Sequence, residues 1–169
     1  MKIETTRFGT VEIDESEYIS FPAGLIGLKD DRTYVLLSRK EGSPIGWLQS
    51  VTSPWLALPV ISAEALVAQY SDEYLQRVID HARRPGTQDP CAVMLVMNPG
   101  AGPGMATVNR VAPIVVNADT RVGLQVLLED APDYITTELL AIRKDPPPAV
   151  QQNEARRVSE SSEVVAFAP

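Results

Sequence analysis

Histidine is the usual general base, cysteine is a strong nucleophile, and both are common zinc ligands. This chain has one of each, His81 and Cys91. His81 lies near the end of a predicted helix, where a solvated or helix-capping histidine is the ordinary case. Cys91 begins an apolar run at residues 91–96 that is typical of a buried strand, whereas an activated thiol needs an electropositive, partly exposed setting. Nucleophilic catalysis requires a base in reach of the nucleophile, and zinc requires several ligands. We therefore predict no catalytic nucleophile, no transition-metal site and no cofactor.

Carboxylates are the second candidate chemistry, because Asp and Glu serve acid–base catalysis and calcium binding. They occur here as adjacent pairs at residues 30–31, 72–73 and 129–130. Adjacent side chains of a strand point to opposite faces, and the sequence has no Asp-x-Asp-x-Asp-Gly loop. The glycine-rich residues 100–104 lack the Lys-Ser/Thr pair of a phosphate-binding loop. We therefore interpret the carboxylate pairs as solvated turn or cap residues and the glycine-rich run as a connecting turn. A small enzyme with a carboxylate-based site stays an alternative, and a pocket with two converging carboxylates would support it.

The charge balance disfavours direct binding to nucleic acid. The chain has 15 Lys and Arg against 22 Asp and Glu, a formal net charge of -7, and its pI is near 4.7. Phosphate backbones are bound chiefly through Lys and Arg. A barrel that binds single-stranded nucleic acid remains a further alternative, although it needs a basic groove with stacked aromatic side chains, and aromatic residues make up 6% of the chain. An acidic surface favours basic protein partners.

Composition also bears on the cellular location. The hydrophobic fraction of 44% is ordinary for globular proteins, as is the mean hydropathy of -0.04. No apolar stretch approaches the roughly 20 residues that cross a bilayer, and the first residues lack the basic and then apolar layout of a signal peptide. We expect a cytoplasmic protein that does not span a membrane, with a free thiol suited to reducing conditions.

Short apolar runs with turn residues between them predict a mainly β protein. The first two runs, residues 3–8 and 11–14, flank Gly9-Thr10 in the layout of a hairpin. Pro59 places its strand near an edge or a bulge, because proline donates no ladder hydrogen bond. The remaining predicted strands are residues 18–21, 33–38, 47–51, 55–61, 92–97, 107–110, 114–117 and 123–128.

One segment has the period of a helix instead of a strand. Tyr74, Leu75, Val78, Ile79 and Ala82 share one helical face, and Pro85-Gly86 ends the element. Many short antiparallel strands with one helix predict a small closed or nearly closed β-barrel-like domain, since few helices are available to shield open sheet edges. We assign residues 1–144 to this domain and residues 145–169, rich in Pro, Gln, Glu and Ser, to a flexible C-terminal tail.

Four stretches, in order, are similar to the sequence motifs of one known protein family. Residues 6–13 and 21–28 are similar to the family's first hairpin and its Phe-Pro-x-Gly-Ile-Pro-Gly-Phe turn, with Ile26 and Leu28 in place of the second proline and phenylalanine. Residues 47–51 and 54–57 are similar to its Leu-Gln-Ser strand and the partner of that strand. Residues 107–117 and 121–128 are similar to Thr-x-Asn-Leu-x-Ala-Pro-Ile-x-Ile-Asn and Arg-x-Gly-x-Gln-Val. Together, these four stretches resemble the flagellar assembly factor family, FliW.

The resemblance implies a binding protein and not an enzyme. Members of the family bind flagellin and the RNA-binding translational regulator CsrA, so the resemblance implies that free flagellin occupies the factor and that export of flagellin lets it capture and antagonise CsrA. The matched polar and proline residues are candidates for protein binding: Gln49, Ser50, Pro54, Asn109, Pro113, Asn117 and Gln125.

A structural role is the alternative for the amides among these residues, because an amide in an apolar strand needs hydrogen-bond partners if it is buried. Such amides either tie neighbouring strands together, which we favour, or line a binding groove. Trp47 and Trp55 are predicted to lie in the core, although an exposed tryptophan would be a natural interface anchor.

Overall fold

The fold comes from a computed structural model, which describes residues 1–40, 42–66, 72–83, 89–100, 105–128, 137–138 and 156–157. Its one described α-helix, α1, spans Asp72–Ala82, and the remaining regular elements are strands and two short 3-10 helices, Glu15–Glu17 and Ala63–Ala65. The strands are β1 (Lys2–Thr5), β2 (Gly9–Glu12), β3 (Ile19–Ser20), β4 (Thr33–Ser38), β5 (Ile45–Ser50), β6 (Ala57–Ser62), β7 (Cys91–Asn98), β8 (Thr107–Val108), β9 (Ile114–Asn117), β10 (Gly123–Gln125), β11 (Thr137–Glu138) and β12 (Arg156–Arg157).

The main sheet curls into a nearly closed barrel, which confirms the predicted fold class. Its strands run in the order β10-β9-β7-β6-β5-β4, each antiparallel to its neighbour. β3 pairs with β4, and Ser20 of β3 bridges Val122 just before β10. The Ser20 amide donates to the Arg121 carbonyl over 2.9 Å. This contact joins the two ends of the sheet and leaves few unpaired edges.

The N-terminal hairpin is a separate two-stranded sheet, and the turn predicted at Gly9-Thr10 lies instead at residues 6–8. Thr5 pairs with Gly9, so the turn is residues 6–8 and Gly9 already belongs to β2. Gly9 has a φ of 66°, a left-handed conformation that glycine adopts without strain. The Thr5 hydroxyl closes the turn by accepting from the Phe8 amide and donating to the Gly9 carbonyl. Val11 and Ile13 are buried.

The alternation of side chains along β4 explains the packing on both sides of the sheet. Tyr34 faces a cluster inside the barrel with Phe21, Leu48 and Ile114. The next residue, Val35, faces the opposite side, where the hairpin covers it. Both faces of β4 are therefore covered by apolar residues. This explains why its sequence is a continuous apolar run instead of an alternating one.

Helix α1 covers another outer face, as its period predicted. Val78 is fully buried against a cluster that includes Ile61 and Leu95, and the other residues of its apolar face pack around it. The helix ends where the Arg83 amide donates to the Ile79 carbonyl over 2.9 Å. Amphipathic burial thus holds the helix on the barrel wall.

Strand bounds follow the sequence pattern most closely where both faces are buried. β4 and β9 match their predicted ranges, whereas β6 begins two residues later than predicted. Pro59 lies in the part of β6 that pairs with β5 but not with β7, so the predicted edge position is confirmed.

The proposed tail at residues 145–169 lies outside the described residues except for β12, which pairs in parallel with β4. The flexibility of this tail stays a prediction.

Candidate protein-binding surface

The antiparallel order of the strands brings several connections to one end of the barrel. β3, β5, β7 and β10 end there, while β4, β6 and β9 begin there. The connections at this end are residues 21–32, 51–56 and 105–113, with residues 126–128 after β10. We call these segments the loop end. The residues predicted to bind a partner lie in or beside it, except Asn117, which ends β9 at the opposite end of the barrel.

Gln49 is buried and holds the turn between β5 and β6. Its side chain is 0% exposed, and its Nε2 donates to the carbonyls of Ser50, Ser53 and Pro54 over 3.0, 3.3 and 3.4 Å. The sequence analysis favoured amides that tie neighbouring strands together, whereas these contacts bind Gln49 to the turn that follows its own strand. They also fix the backbone of residues 50–54, so that Gln49 shapes the loop end from inside.

Ser50 and Asp31 tie this turn to the neighbouring loop. The Ser50 hydroxyl donates to Asp31 Oδ1 over 2.6 Å and accepts from the Ser53 amide over 2.9 Å. The Thr52 hydroxyl also donates to Asp31 Oδ1, over 3.0 Å. The hydrogen bond from Ser50 lowers the pKa of the Asp31 carboxyl, although partial desolvation opposes that shift. Asp31 is therefore charged at neutral pH and acts as the acceptor that connects residues 21–32 with residues 51–56.

Gln125 makes the corresponding link on the other side of the loop end. Its Oε1 accepts from the Ile26 amide over 2.9 Å, and its Nε2 donates to the Ala112 carbonyl over 3.0 Å. Asn109 turns the chain before Ala112 by accepting from its amide and from that of Val111. Gln125 therefore links the connection at residues 21–32 with the connection at residues 105–113, whose turn Asn109 fixes.

The two predicted prolines differ in exposure. Pro113 is buried, and its carbonyl accepts from the Val126 amide over 2.9 Å. Pro54 is exposed, and its carbonyl accepts from the Thr6 amide over 2.9 Å. Pro54 thus presents its ring to solvent where the N-terminal hairpin meets the loop end.

Asn117 closes the turn from β9 to β10 at the opposite end. Its Oδ1 accepts from the amides of Asp119 and Thr120, and its Nδ2 donates to Asp89 Oδ2 over 3.0 Å. The structure therefore separates Asn117 from the other predicted residues. Its place became apparent only from the strand topology.

Exposed apolar side chains are the feature of the loop end that the sequence analysis missed. The core prediction for Trp55 is wrong: its side chain is 68% exposed, because it lies in the turn before β6 and Leu56 takes the buried position. Ile26, Met105 and Leu127 are 59, 59 and 56% exposed at the same end. The available signal was the run Ser53-Pro54-Trp55, turn residues that place the tryptophan outside a strand.

Trp47 behaves differently from Trp55. It is half-buried on the hairpin side of β5, in an edge-to-face contact with Phe8 at 5.9 Å between ring centroids. The Arg7 guanidinium lies over the Trp47 ring, 4.0 Å from its centroid. Trp47 is thus a packing residue, and Trp55 is the tryptophan that is free to contact a partner.

Of the residues considered for catalysis, His81 and Cys91 lie outside the loop end, whereas Asp30 and Asp31 belong to it. His81 is exposed on α1, and Cys91 is half-buried at the start of β7, where desolvation raises the pKa of its thiol. Asp31 is engaged by hydroxyl donors, and Asp30 beside it is exposed. Within the described ranges, no three His, Cys, Asp or Glu side chains are grouped as a metal site requires.

The comparisons with known proteins agree on one family. The model of the FliW protein family matches residues 2–140. The chain belongs to the FliW family. A protein named flagellar assembly factor FliW from Syntrophus aciditrophicus is 33% identical over 144 residues, which are 85% of this chain and 90% of that protein. The FliW protein of Natranaerobius thermophilus is 33% identical over 136 residues, 80% of this chain and 89% of its own length.

The fold comparison leads to the same family. The crystal structure of a flagellar assembly factor FliW superposes with a TM-score of 0.69 at 28% identity, covering 82% of this chain and 96% of that one. These FliW relatives are named as assembly factors and not as enzymes. In the part of the chain that the structure describes, no helix has the length and apolar character of a membrane span.

Proposed function

We propose that this FliW family member is a cytoplasmic partner switch that binds flagellin and the translational regulator CsrA in alternation. Flagellin in the cell occupies the factor; after flagellin is exported, the factor captures CsrA and relieves its repression of flagellin translation. Family membership supports this proposal, and so does the net charge of -7, because an RNA-binding regulator must present basic surface.

The observation that carries the proposal is the loop end itself. Exposed Trp55, Ile26, Met105 and Leu127 project from segments whose backbones are fixed by Gln49, Asp31 and Gln125. Large apolar side chains on a rigid backbone favour binding, because little conformational entropy is lost when a partner covers them. We assign the partner contacts to these apolar residues, and to Pro54 beside them, with the buried amides in a supporting role.

Titration calorimetry of the purified protein with flagellin and with CsrA tests this assignment. Trp55→Ala should weaken binding of at least one partner by roughly 30-fold, as expected for an interface tryptophan. Val122→Ala is the matched control: Val122 is 43% exposed but lies at the opposite end of the barrel, so its affinity should stay within about twofold of wild type.

Two results would count against the proposal. Absence of binding heat with either partner would refute the partner switch altogether. Equal affinities of wild type and Trp55→Ala, with Val122→Ala weakened instead, would move the binding surface to the other end. Fluorescence anisotropy with labelled mixed RNA tests the nucleic-acid-binding alternative. Because the protein is acidic, its addition should leave the anisotropy of the RNA unchanged.

A further inference from the structure

The outer edge of β4 presents backbone groups that neither neighbouring strand can satisfy. The Val51 amide donates to the Thr33 carbonyl, so the backbone groups of Thr33, Val35 and Leu37 face β5. The groups of Tyr34, Leu36 and Ser38 consequently face the other side. β3 pairs with β4 only at Thr33 and Tyr34, which leaves the outer groups of Leu36 and Ser38 beyond its reach.

The C-terminal segment occupies this gap. Arg156 and Arg157 of β12 pair in parallel with Leu37 and Ser38. In a parallel ladder of this register, the Arg156 amide faces the Leu36 carbonyl and the Ser38 amide faces the Arg156 carbonyl. The Arg157 amide points away from β4. Ser38 is 4% exposed with the segment in place. If the segment left, the Ser38 amide would lose its strand partner and become accessible to water.

We propose that the outer edge of β4 is a strand-docking site, and that its resident occupant is this chain's own C-terminal segment at Arg156–Arg157. The segment covers the seam that the two-residue β3 leaves open in the barrel. It is separated from the last strand of the barrel, β10, by a long stretch of chain and contributes two residues to the ladder, so it is a removable cover. Without it, the edge offers a template for pairing with another extended chain, including the same edge of a second copy.

Two proline substitutions at adjacent positions distinguish loss of the hydrogen bond to β4 from loss of positive charge in the segment. Arg156→Pro deletes the amide that faces β4, whereas Arg157→Pro deletes the amide that points away and removes the same charge. Amide hydrogen exchange followed by NMR reports on the edge. In Arg156→Pro, the Ser38 amide should exchange at least tenfold faster than in wild type, and in Arg157→Pro it should remain within about twofold.

The Leu37 amide, which faces β5, is the internal control. It should exchange equally in all three proteins, which shows that the barrel itself stays folded. Sedimentation velocity should show concentration-dependent association of Arg156→Pro alone. Equal exchange of Ser38 in wild type and Arg156→Pro would overturn the docking, and a monodisperse Arg156→Pro protein with exposed Ser38 would overturn the covering role.

Discussion

At the scale of single residues, the polar side chains that match the family motifs mainly form hydrogen bonds with nearby main-chain groups. Gln49, Ser50, Asn109 and Gln125 each contact main-chain groups of a loop. A buried amide is costly unless it is hydrogen-bonded, and these hydrogen bonds restrict the conformation of the loop. Their contribution to binding is therefore expected to pass through the conformation of the loop end.

Replacement of Gln49 distinguishes support from direct contact. Gln49→Ala removes the donors to Ser50, Ser53 and Pro54 and leaves a cavity, so the free energy of unfolding should fall by about 2–4 kcal/mol. Urea denaturation followed by tryptophan fluorescence measures the change. Gln125→Ala, at a half-buried site, is the control and should cost about 1 kcal/mol. Unchanged stability of Gln49→Ala with weakened partner binding would show that Gln49 contacts the partner.

Tyr34 makes stability depend on alkaline pH. Burial, with a smaller effect of the Asp31 charge, raises the pKa of its phenol to about 12. The unfolded chain ionises Tyr34 near its ordinary pKa of about 10, so it loses this proton before the folded protein does. The stabilisation is complete below pH 10 and is lost as pH rises toward 12.

Tyr34→Phe tests this dependence with little disturbance of packing. The phenol oxygen has no hydrogen-bond partner in the described part of the chain, and the edge-to-face contact with Phe21, at 5.5 Å, needs only the ring. The variant should be within about 1 kcal/mol of wild type at pH 8 and should lose less stability than wild type between pH 10 and 11.5. Urea midpoints at these pH values decide; parallel declines would assign the alkaline loss to other groups.

At the scale of elements, the shape of the loop end depends on the hydrogen bonds that join residues 21–32 to residues 51–56. Asp31 makes that connection by accepting from the hydroxyls of Ser50 and Thr52. Its pKa is lowered chiefly by the Ser50 bond, so its contribution is present above the ordinary carboxyl pKa of about 4 and is lost as pH falls below it.

Asp31→Ala should therefore destabilise the protein by about 1 kcal/mol at pH 7 and by less at pH 3, where wild type has also lost part of the interaction. Denaturation at the two pH values provides the measurement. Asp30→Ala is the matched control, because Asp30 is adjacent and exposed. A deficit of Asp31→Ala that stays constant from pH 7 to pH 3 would contradict a role for the charge.

The elements themselves were largely predictable, because they follow from local periodicity. Helix α1 and the strands β4 and β9 were located from side-chain patterns alone. The turn of the first hairpin was not, since a glycine at φ 66° starts a strand here instead of ending one. Closure through Ser20 and Val122 joins distant parts of the sequence, and local patterns carry no signal for it.

The candidate surface was predicted in part for a related reason. Family-matched residues led to the loop end, but the strand order was needed to separate Asn117 from the others. Hydrophobicity alone assigned Trp55 to the core, whereas the turn that precedes β6 exposes it. A sequence pattern reports which residues are apolar; only the fold decides which of them are covered.

At the scale of the whole molecule, charge and apolar contact should affect different stages of binding. The net charge of -7 acts over a distance and raises the rate of encounter with a basic protein. The apolar side chains of the loop end act after contact and chiefly set the rate of dissociation. The two effects can be measured separately because salt screens the first and leaves the second nearly unchanged.

The association rate with CsrA should accordingly fall by roughly tenfold as ionic strength rises from about 0.05 to 0.5 M, while the dissociation rate changes little. Stopped-flow fluorescence or surface plasmon resonance gives both rates. Trp55→Ala should have the opposite signature, with faster dissociation and the same salt dependence of association, because it removes apolar area without changing charge. An association rate that is independent of salt would remove the electrostatic part of the proposal, and only the apolar loop end would then account for partner choice.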